Sequence, residues 1–173
     1  ADFHADETVD VAIVTGAGQG LGETIALEFA REGAAVALLE RNPETLEATR
    51  AKIEAAGGQA KAFALDITDY DAYGQAVKDT LAWKGKIDVL VNNAAIAYYG
   101  TILNDTLENW RKQMTVNLEA VYMGSKLVAP HMVEHQYGRI INITSIQGFA
   151  ASGEAGPYNA AKGGIIAYTK SMA

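Results

Sequence analysis

The stretch VDVAIVTGAGQGLG, residues 9–22, joins a short apolar run to four closely spaced glycines. Val9 to Thr15 is rich in β-branched residues, which predicts a buried strand. The glycines permit a tight turn and a close approach of the backbone to a ligand. A helix that begins at this turn would direct its free N–H groups and its positive dipole end at a phosphate group. Because a glycine-rich turn can also be only a turn, the strand-turn-helix setting carries this interpretation.

Four further apolar runs alternate with stretches of helical character. Together they predict five buried strands: Val9 to Thr15, Ala35 to Glu40, Ala60 to Leu65, Ile87 to Asn92 and Arg139 to Ser145. This alternation is typical of repeated βαβ units around a parallel sheet. We therefore expect the α/β class, with a doubly wound parallel sheet that carries helices on both faces.

Two helices have clear boundary signals. Asn42 followed by Pro43 is a typical helix start, and Gly57-Gly58 closes that helix with residues that tolerate a positive φ. The pair Asp105 and Glu108 has the spacing of a reciprocal cap. It predicts one extended helix from Leu107 to Gln136.

The composition places limits on the partners of the chain. Of its 173 residues, 49% are apolar and 20% are charged, which fits a single globular domain over residues 1–173. A net charge of −7 argues against nucleic acid or an anionic membrane as a partner. The sequence has no cysteine, and this is consistent with a cytoplasmic protein. We expect the first eight residues to be a loose tail, without a targeting segment.

The C-terminal residues Ser171 to Ala173 fall within an apparent helix and carry no capping signal. We therefore expect that the domain lacks its C-terminal part. Further strands of a doubly wound sheet could complete a substrate pocket.

Ligands of a doubly wound sheet bind beyond the carboxyl ends of its strands. Glu40 ends the second strand, at about the ~20-residue separation at which an acid accepts hydrogen bonds from ribose hydroxyls. Asp66 ends the third strand, and Asn92-Asn93-Ala94-Ala95 ends the fourth. Each of these could be only a surface acid or a turn former. Their shared place at one sheet edge favours a ligand site.

The fifth strand ends at Ser145, and Tyr158 and Lys162 follow with the four-residue spacing that places both on one helical face. A tyrosine hydroxyl, with an ordinary pKa of about 10, is a poor base, but a neighbouring ammonium favours the phenolate. Ser145 would donate a hydrogen bond to the substrate oxygen near Tyr158. The alternative is an ordinary surface pair, because Tyr-x-x-x-Lys occurs often by chance.

From about Val9 onward the chain resembles the short-chain dehydrogenase/reductase family, in the branch with Thr-Gly-x-x-x-Gly-x-Gly. Thr15, Gly16, Gly20 and Gly22 match its cofactor turn, and Ser145, Tyr158 and Lys162 match its catalytic motif. Asn92-Asn93-Ala94-Ala95 stands where the family has Asn-Asn-Ala-Gly. Ala95 is the one departure from the pattern.

The resemblance implies a Rossmann-type fold and an oxidoreductase that moves a hydride between a nicotinamide cofactor and a secondary alcohol or ketone. The implied catalytic residues are Asn117, Ser145, Tyr158 and Lys162, with Asn117 holding a water that links the lysine to solvent. The expected cofactor-binding residues are Gly16, Gln19, Gly20, Leu21, Gly22, Glu40, Asp66, Ile67, Asn93, Tyr158 and Lys162.

The cofactor preference depends on Glu40 and Arg41. A carboxylate at the ribose would accept from the hydroxyls of NAD and repel the 2′-phosphate of NADP, whereas Arg41 could bind that phosphate. We expect NAD, with NADP less favoured.

Members of the resembled family also commonly pair through the long helices after strands four and five, which here are about Asp105 to Gln136 and Pro157 onward. We therefore expect a homo-oligomer, with a tetramer as the leading form.

Two other functions remain as alternatives. The first is a non-catalytic dinucleotide-binding or interaction module, which applies if the chain truly ends at Ala173. The second is a zinc hydrolase, since residues 131–135 read His-Met-Val-Glu-His and match an inverted zinc-peptidase signature. The motif offers no third ligand, so we expect no metal site.

The substrate pocket is indicated only by residues near the inferred site. A partly aromatic pocket for a small or cyclic alcohol is suggested by Tyr98, Tyr99, Gln147 and Phe149.

Overall fold

The computed structural model describes residues 10–173. Its five strands form one parallel sheet in the order β3-β2-β1-β4-β5. The strands are β1 Val11–Thr15, β2 Ala35–Glu40, β3 Gln59–Ala64, β4 Val89–Asn92 and β5 Arg139–Asn142. This order reverses beside β1 and confirms the doubly wound sheet. The predicted start of the first strand at Val9 and the predicted N-terminal tail lie outside the described residues.

Within residues 10–173, six α-helices and two shorter helical segments connect and follow the strands. The α-helices are α1 Gly20–Arg31, α2 Pro43–Ala55, α3 Tyr70–Lys84, α4 Leu107–Met114, α5 Ala120–Glu134 and α6 Gly156–Met172. A π-helical segment, Thr115–Glu119, joins α4 to α5, and a 3₁₀ turn, Ile146–Gly148, precedes α6. In the part of the chain that the structure describes, no helix is long and apolar enough to span a bilayer.

Successive side chains of a strand point to opposite sides of the sheet. The central strands are buried on both faces because helices cover each side. Ala12 and Val14 pack in one core with Ala26 of α1 and Ile53 of α2. Ile13, between them, packs in a second core with residues of α3 and α5, among them Tyr73, Val77 and Val128. The two cores place helices on both faces, as predicted.

The expectation of five buried strands is wrong for β3 and β5. These two strands are half-exposed, while every residue of β1 and β4 is buried. The reason is the strand order, because β3 and β5 each have one neighbouring strand within the described sheet. β5 also ends at Asn142, so Ser145 lies three residues beyond the strand and not at its last position.

The helix boundaries confirm one prediction and correct another. Asn42 caps α2, and its side-chain oxygen accepts a hydrogen bond of 2.9 Å from the N–H of Glu44. The cap of α4 is Thr106 and not Asp105, because the Thr106 hydroxyl accepts from the N–H of Asn109 at 3.0 Å. The carboxylate of Asp105 accepts instead from the Thr106 N–H at 2.9 Å.

The long helix predicted from Leu107 to Gln136 is present as three segments. Its middle segment, Thr115–Glu119, has π-helical geometry and contains Asn117. A π segment inserts an extra residue into the helical repeat and shifts the side chains that follow it, and such segments are frequent at functional sites. The helix therefore changes its register at a predicted site residue.

Candidate active site

The loops after β1 and β4 are held together by the hydroxyl of Thr15. Its oxygen accepts hydrogen bonds from the N–H groups of Asn93 at 3.0 Å and Ala94 at 3.1 Å. The same hydroxyl donates a hydrogen bond of 3.3 Å to the carbonyl oxygen of Val91. The Asn93 side chain donates back to the carbonyl of Thr15 at 3.0 Å. These hydrogen bonds therefore connect the start of the glycine turn directly to the loop after β4.

The glycine turn has the geometry that a phosphate site requires. Gly16 and Gly20 have φ angles of +64° and +57°, which favour glycine. A Cβ on Gly22 would lie 2.0 Å from the carbonyl oxygen of Gly16, so any larger residue there would displace the turn. Within residues 10–173, Gln19 at the start of α1 makes no side-chain capping bond. The first N–H groups of α1 are thus open to an anion.

A cavity of about 830 Å³ lies over this turn. It is lined by all the predicted cofactor residues of the glycine turn and the strand ends, namely Gly16, Gln19, Gly20, Leu21, Gly22, Glu40, Asp66, Ile67 and Asn93. Tyr158 and Lys162 are not part of its lining. Cavities of this size accommodate extended small-molecule ligands, so the residues present fit a dinucleotide.

Four of the lining residues come from a part of the chain that the sequence did not place at the cofactor site. Arg111, Lys112, Thr115 and Val116 reach the cavity from α4 and the π segment. Their contribution depends on α4 crossing the carboxyl ends of the strands, and no local spacing signals this path. Arg111 and Lys112 bring two cations to the rim of a cavity in an acidic protein.

Glu40 faces the glycine turn. Its carboxylate accepts from the N–H of Gly18 at 3.4 Å and from the N–H of Asn42 at 3.0 Å. The carboxylate is therefore held at the cavity and is half-buried. Arg41 is exposed and lines the same cavity.

Asp66 follows β3, the strand that pairs with β2, and lines the same cavity as Glu40. Burial acts to raise the pKa of Asp66, but hydrogen bonds from the N–H and hydroxyl of Thr68, at 2.9 and 2.7 Å, together with the charge of Arg41, lower it overall. Asp66 is therefore an anionic acceptor at neutral pH, and Arg41 already interacts with it.

Lys162 is the most unusual charged residue of the site. It is 2% exposed, and its ammonium donates a hydrogen bond of 2.7 Å to the carbonyl oxygen of Ile143. Burial lowers the pKa of Lys162 to about 8. Its Nζ lies 5.7 Å from the ring centroid of Tyr158, which confirms that the two residues share a face of α6. A buried cation thus stands beside the tyrosine.

Ser145 reaches the same region through the turn that follows β5. The Ser145 hydroxyl oxygen accepts from the N–H of Gln147 at 3.2 Å, and Thr144 donates to the carbonyl of Lys162 at 2.8 Å. A Cβ on Gly148 would lie 3.0 Å from the backbone of Lys162, so a glycine lets this turn pack closely on α6. These contacts bring the loop of Ser145 against the helix of Tyr158 and Lys162.

Asn117 is fully buried in the π segment and holds the loop after β4. Its side-chain oxygen accepts from the N–H of Ile96 and its amide nitrogen donates to the carbonyl of Ile96, both at 2.8 Å. The side chain of Asn117 therefore holds this loop through its backbone. Its implied role in holding a water stays a prediction.

The zinc signature does not form a cluster of ligands. His131 is half-buried on α5, and Glu134 and His135 are exposed at its end. Among residues 10–173, no three His, Cys, Asp or Glu side chains are grouped so that they could hold a metal ion. Of the expected pocket residues, Tyr99 and Phe149 are largely exposed, while Tyr98 is 41% exposed and Gln147 is half-buried. None of these four residues lines the large cavity.

Comparison with known proteins identifies the family. Residues 10–173 match the family model of the short chain dehydrogenases. The 3-oxoacyl-[acyl-carrier-protein] reductase of Synechocystis sp. is 39% identical over 167 residues, which cover 96% of this chain and 68% of that protein.

Two solved structures share the fold, each with a TM-score of 0.92. A metagenomic short-chain oxidoreductase in complex with NADP is 36% identical, with 96% of this chain and 76% of that chain covered. An NAD⁺-bound xylitol dehydrogenase is 32% identical, with 97% and 65% covered. The chain spans about two thirds of the length of the curated relatives that it matches. The chain belongs to the short-chain dehydrogenase/reductase family.

Proposed function

We propose that this protein transfers a hydride between a nicotinamide cofactor and a secondary alcohol or ketone. The observation that carries the proposal is the buried ammonium of Lys162, held at 2.7 Å by the carbonyl of Ile143 beside the ring of Tyr158. A buried charge is expensive, so its place next to a tyrosine at the sheet edge supports a chemical role. The glycine turn at the same edge supplies a site for the cofactor.

The three side chains divide the proton chemistry between them. In the direction of oxidation, the Tyr158 oxygen accepts the proton of the substrate hydroxyl as the hydride leaves the carbon, and in reduction it returns that proton. The charge of Lys162 stabilises the negative charge that this requires on the Tyr158 oxygen. The nicotinamide, when bound, accepts or supplies the hydride.

Ser145 is suited to orient the substrate oxygen. Its hydroxyl oxygen already accepts a hydrogen bond from the N–H of Gln147, which leaves the O–H free to donate. Donation to the substrate oxygen would hold it near Tyr158 and stabilise charge as it develops there. Asn117 contributes by holding the loop after β4 and, as the family resemblance implies, a water next to Lys162.

We further propose that the cofactor is NAD. Glu40 points its carboxylate at the glycine turn, where the adenosine ribose would lie, and two hydrogen bonds to backbone N–H groups prevent it from turning away. At an effective dielectric of about 20, a second negative charge 4 Å away would be repelled by roughly 4 kcal/mol, less any screening by salt. Because the charge of Arg41 is shared with Asp66, it offsets only part of this repulsion.

We also propose that the protein forms a homo-oligomer through α4, α5 and α6. Large apolar side chains are exposed on the first two of these helices, among them Leu107 at 61%, Trp110 at 42% and Tyr122 at 45%. Exposed apolar groups of this kind are typical of protein contacts. A cytoplasmic setting remains an expectation that rests on the cysteine-free sequence.

A spectrophotometric assay tests the proposed reaction. The near-ultraviolet absorbance of the reduced nicotinamide should rise when the protein is mixed with NAD and a panel of aliphatic, cyclic and vicinal-diol secondary alcohols. A fluorescence titration with NADH measures cofactor binding separately. Tight NADH binding without turnover of any alcohol or matching ketone would favour the alternative, a non-catalytic dinucleotide-binding module.

A further inference from the structure

The segment of residues 96–100, which follows the loop after β4, is held from two sides. On one side, the side chains of Gln113 and Asn117 bind its backbone. On the other side, the N–H of Gly100 donates to the carbonyl of Glu154 at 2.8 Å, and Gly100 forms a parallel bridge with Ala155. The segment therefore connects α4 to the start of α6.

Gln113 repeats, one helical turn earlier, the contact that Asn117 makes. Gln113 is 0% exposed, its side-chain oxygen accepts from the N–H of Tyr98 at 3.2 Å, and its amide nitrogen donates to the carbonyl of Tyr98 at 3.1 Å. Asn117 forms the same pair with Ile96. Two side-chain amides thus bind the backbone as a neighbouring strand would.

The spacing of the two amides matches the spacing of the two residues that they bind. Gln113 precedes Asn117 by four residues, and the π segment begins between them, while Tyr98 follows Ile96 by two residues. The N–H and C=O groups of alternate strand residues also point to the same side. One face of this helical stretch therefore pairs with the backbone of Ile96 and Tyr98 together.

The far end of the segment lies close to the proposed proton-transfer residue. Ala155, the bridge partner of Gly100, is buried and stands three residues before Tyr158. The Nζ of Lys112 lies 5.2 Å from the ring centroid of Tyr98, which adds a weak cation–π contact at the surface. The segment is thus joined at Gly100 to the start of the helix that carries Tyr158.

We propose that Gln113 is a positioning residue, which acts through the backbone of Tyr98 to hold residues 96–100 as a wall of the substrate site beside Tyr158. A buried amide costs free energy unless it is hydrogen-bonded, and an apolar residue could fill this place at no such cost. The wall role rests on the proposed function, whereas the backbone contact does not.

Hydrogen exchange at the Tyr98 amide, followed by NMR, tests the contact itself. Gln113→Met removes both hydrogen bonds at nearly constant volume, and the exchange rate should rise by about 30-fold, the loss expected for two ordinary hydrogen bonds. The matched control is Gln75→Met on α3, where the exposed glutamine donates a hydrogen bond of 2.9 Å to Asp79. An exchange rate in Gln113→Met equal to that in the control would overturn the proposal.

Gln113→Glu provides the functional test and a second variant if Gln113→Met does not fold. A neutral carboxylic acid keeps one donor and one acceptor, whereas a carboxylate can only accept. Relative to the native protein at each pH, the KM of the best alcohol from the panel and the Tyr98 exchange rate should stay within about twofold at low pH and rise at least fivefold as the acid ionises.

Cofactor affinity shows whether Gln113 acts on the substrate site alone or also on the cofactor site. NADH binding by Gln113→Glu should match that of the native protein at every pH, since Gln113 does not line the cavity over the glycine turn and Ile96, which does, is held by Asn117. A relative KM and exchange rate that do not change with pH would refute the positioning role. If no alcohol is oxidised by the native protein, the proposed function fails, and the exchange rates alone still decide the contact.

Discussion

Replacing Lys162 with methionine should stabilise the fold near neutral pH and abolish the proposed activity. Burial lowers the pKa of Lys162 from 10.5 to about 8. A difference of 2.5 units corresponds to about 3 kcal/mol that the protonated lysine costs the folded state below pH 8. Methionine has a similar length and no charge, but it leaves the carbonyl of Ile143 without its 2.7 Å donor, at a cost of about 1 kcal/mol. We expect the variant to be about 2 kcal/mol more stable at pH 7.

The pH dependence gives the sharper test, and its sign follows from linkage. Between about pH 8 and pH 10.5 the unfolded chain binds a proton at Lys162 that the folded chain has lost, so the native protein gains stability as the pH rises. The variant has no such group. The difference in the free energy of unfolding should therefore change by about 3 kcal/mol over this range, and its sign should reverse.

Urea unfolding at a series of pH values measures this difference. Lys170→Met serves as the matched control, because Lys170 is an exposed lysine on the same helix. Groups that titrate in both proteins cancel in the comparison with the native chain. A stability difference for Lys162→Met that stays constant from pH 7 to above pH 10 would refute the reasoning that burial sets the state of this lysine.

Three further predictions concern the cofactor site and the assembly. The native ratio of kcat/KM should favour NAD over NADP by at least about tenfold. Both Glu40→Ser and Glu40→Gln should move this ratio toward NADP because both remove the negative charge, and the Gln variant isolates the charge since it keeps an acceptor. A native preference for NADP would contradict this. Gly22→Ala should weaken NADH binding by more than about tenfold, since its Cβ would lie 2.0 Å from the carbonyl oxygen of Gly16, whereas Gly74→Ala on α3 meets only an ordinary contact at 3.6 Å and should bind normally. Light scattering at micromolar concentration should show an oligomer, with a tetramer as the leading form, and a monomer would count against the proposed surface of α4, α5 and α6.

The sequence was most informative about the centre of the sheet. The glycine turn and the apolar runs of β1 and β2 are local features of the sequence, so these two strands, the turn and the place of Glu40 at a strand end could be predicted. Burial of β3 and β5 could not, because it depends on which strands lie at the edges of the sheet. The cap at Thr106 was missed for a local reason, since Asp105 and Thr106 are both good capping residues.

The contacts that the sequence could not predict at the site join residues distant in sequence. Gln113 binds Tyr98 across 15 positions, and Asn117 binds Ile96 across 21. Neither pairing follows from helical periodicity, which would assign a buried glutamine to a solvent-facing position. Arg111 and Lys112 reach the cavity only because α4 crosses the strand ends. Long-range placement of this kind requires the fold.

The most direct test of the central claim is the activity of Tyr158→Phe. This change removes one oxygen atom and leaves the ring beside Lys162 in place. The proposed function predicts that NADH binding, measured by fluorescence, stays within about twofold of native, while kcat for the best alcohol of the panel falls by at least ~100-fold. Tyr70→Phe, at an exposed tyrosine on α3, should retain full activity. Turnover by Tyr158→Phe comparable to that of the native protein would show that this tyrosine does not transfer the proton.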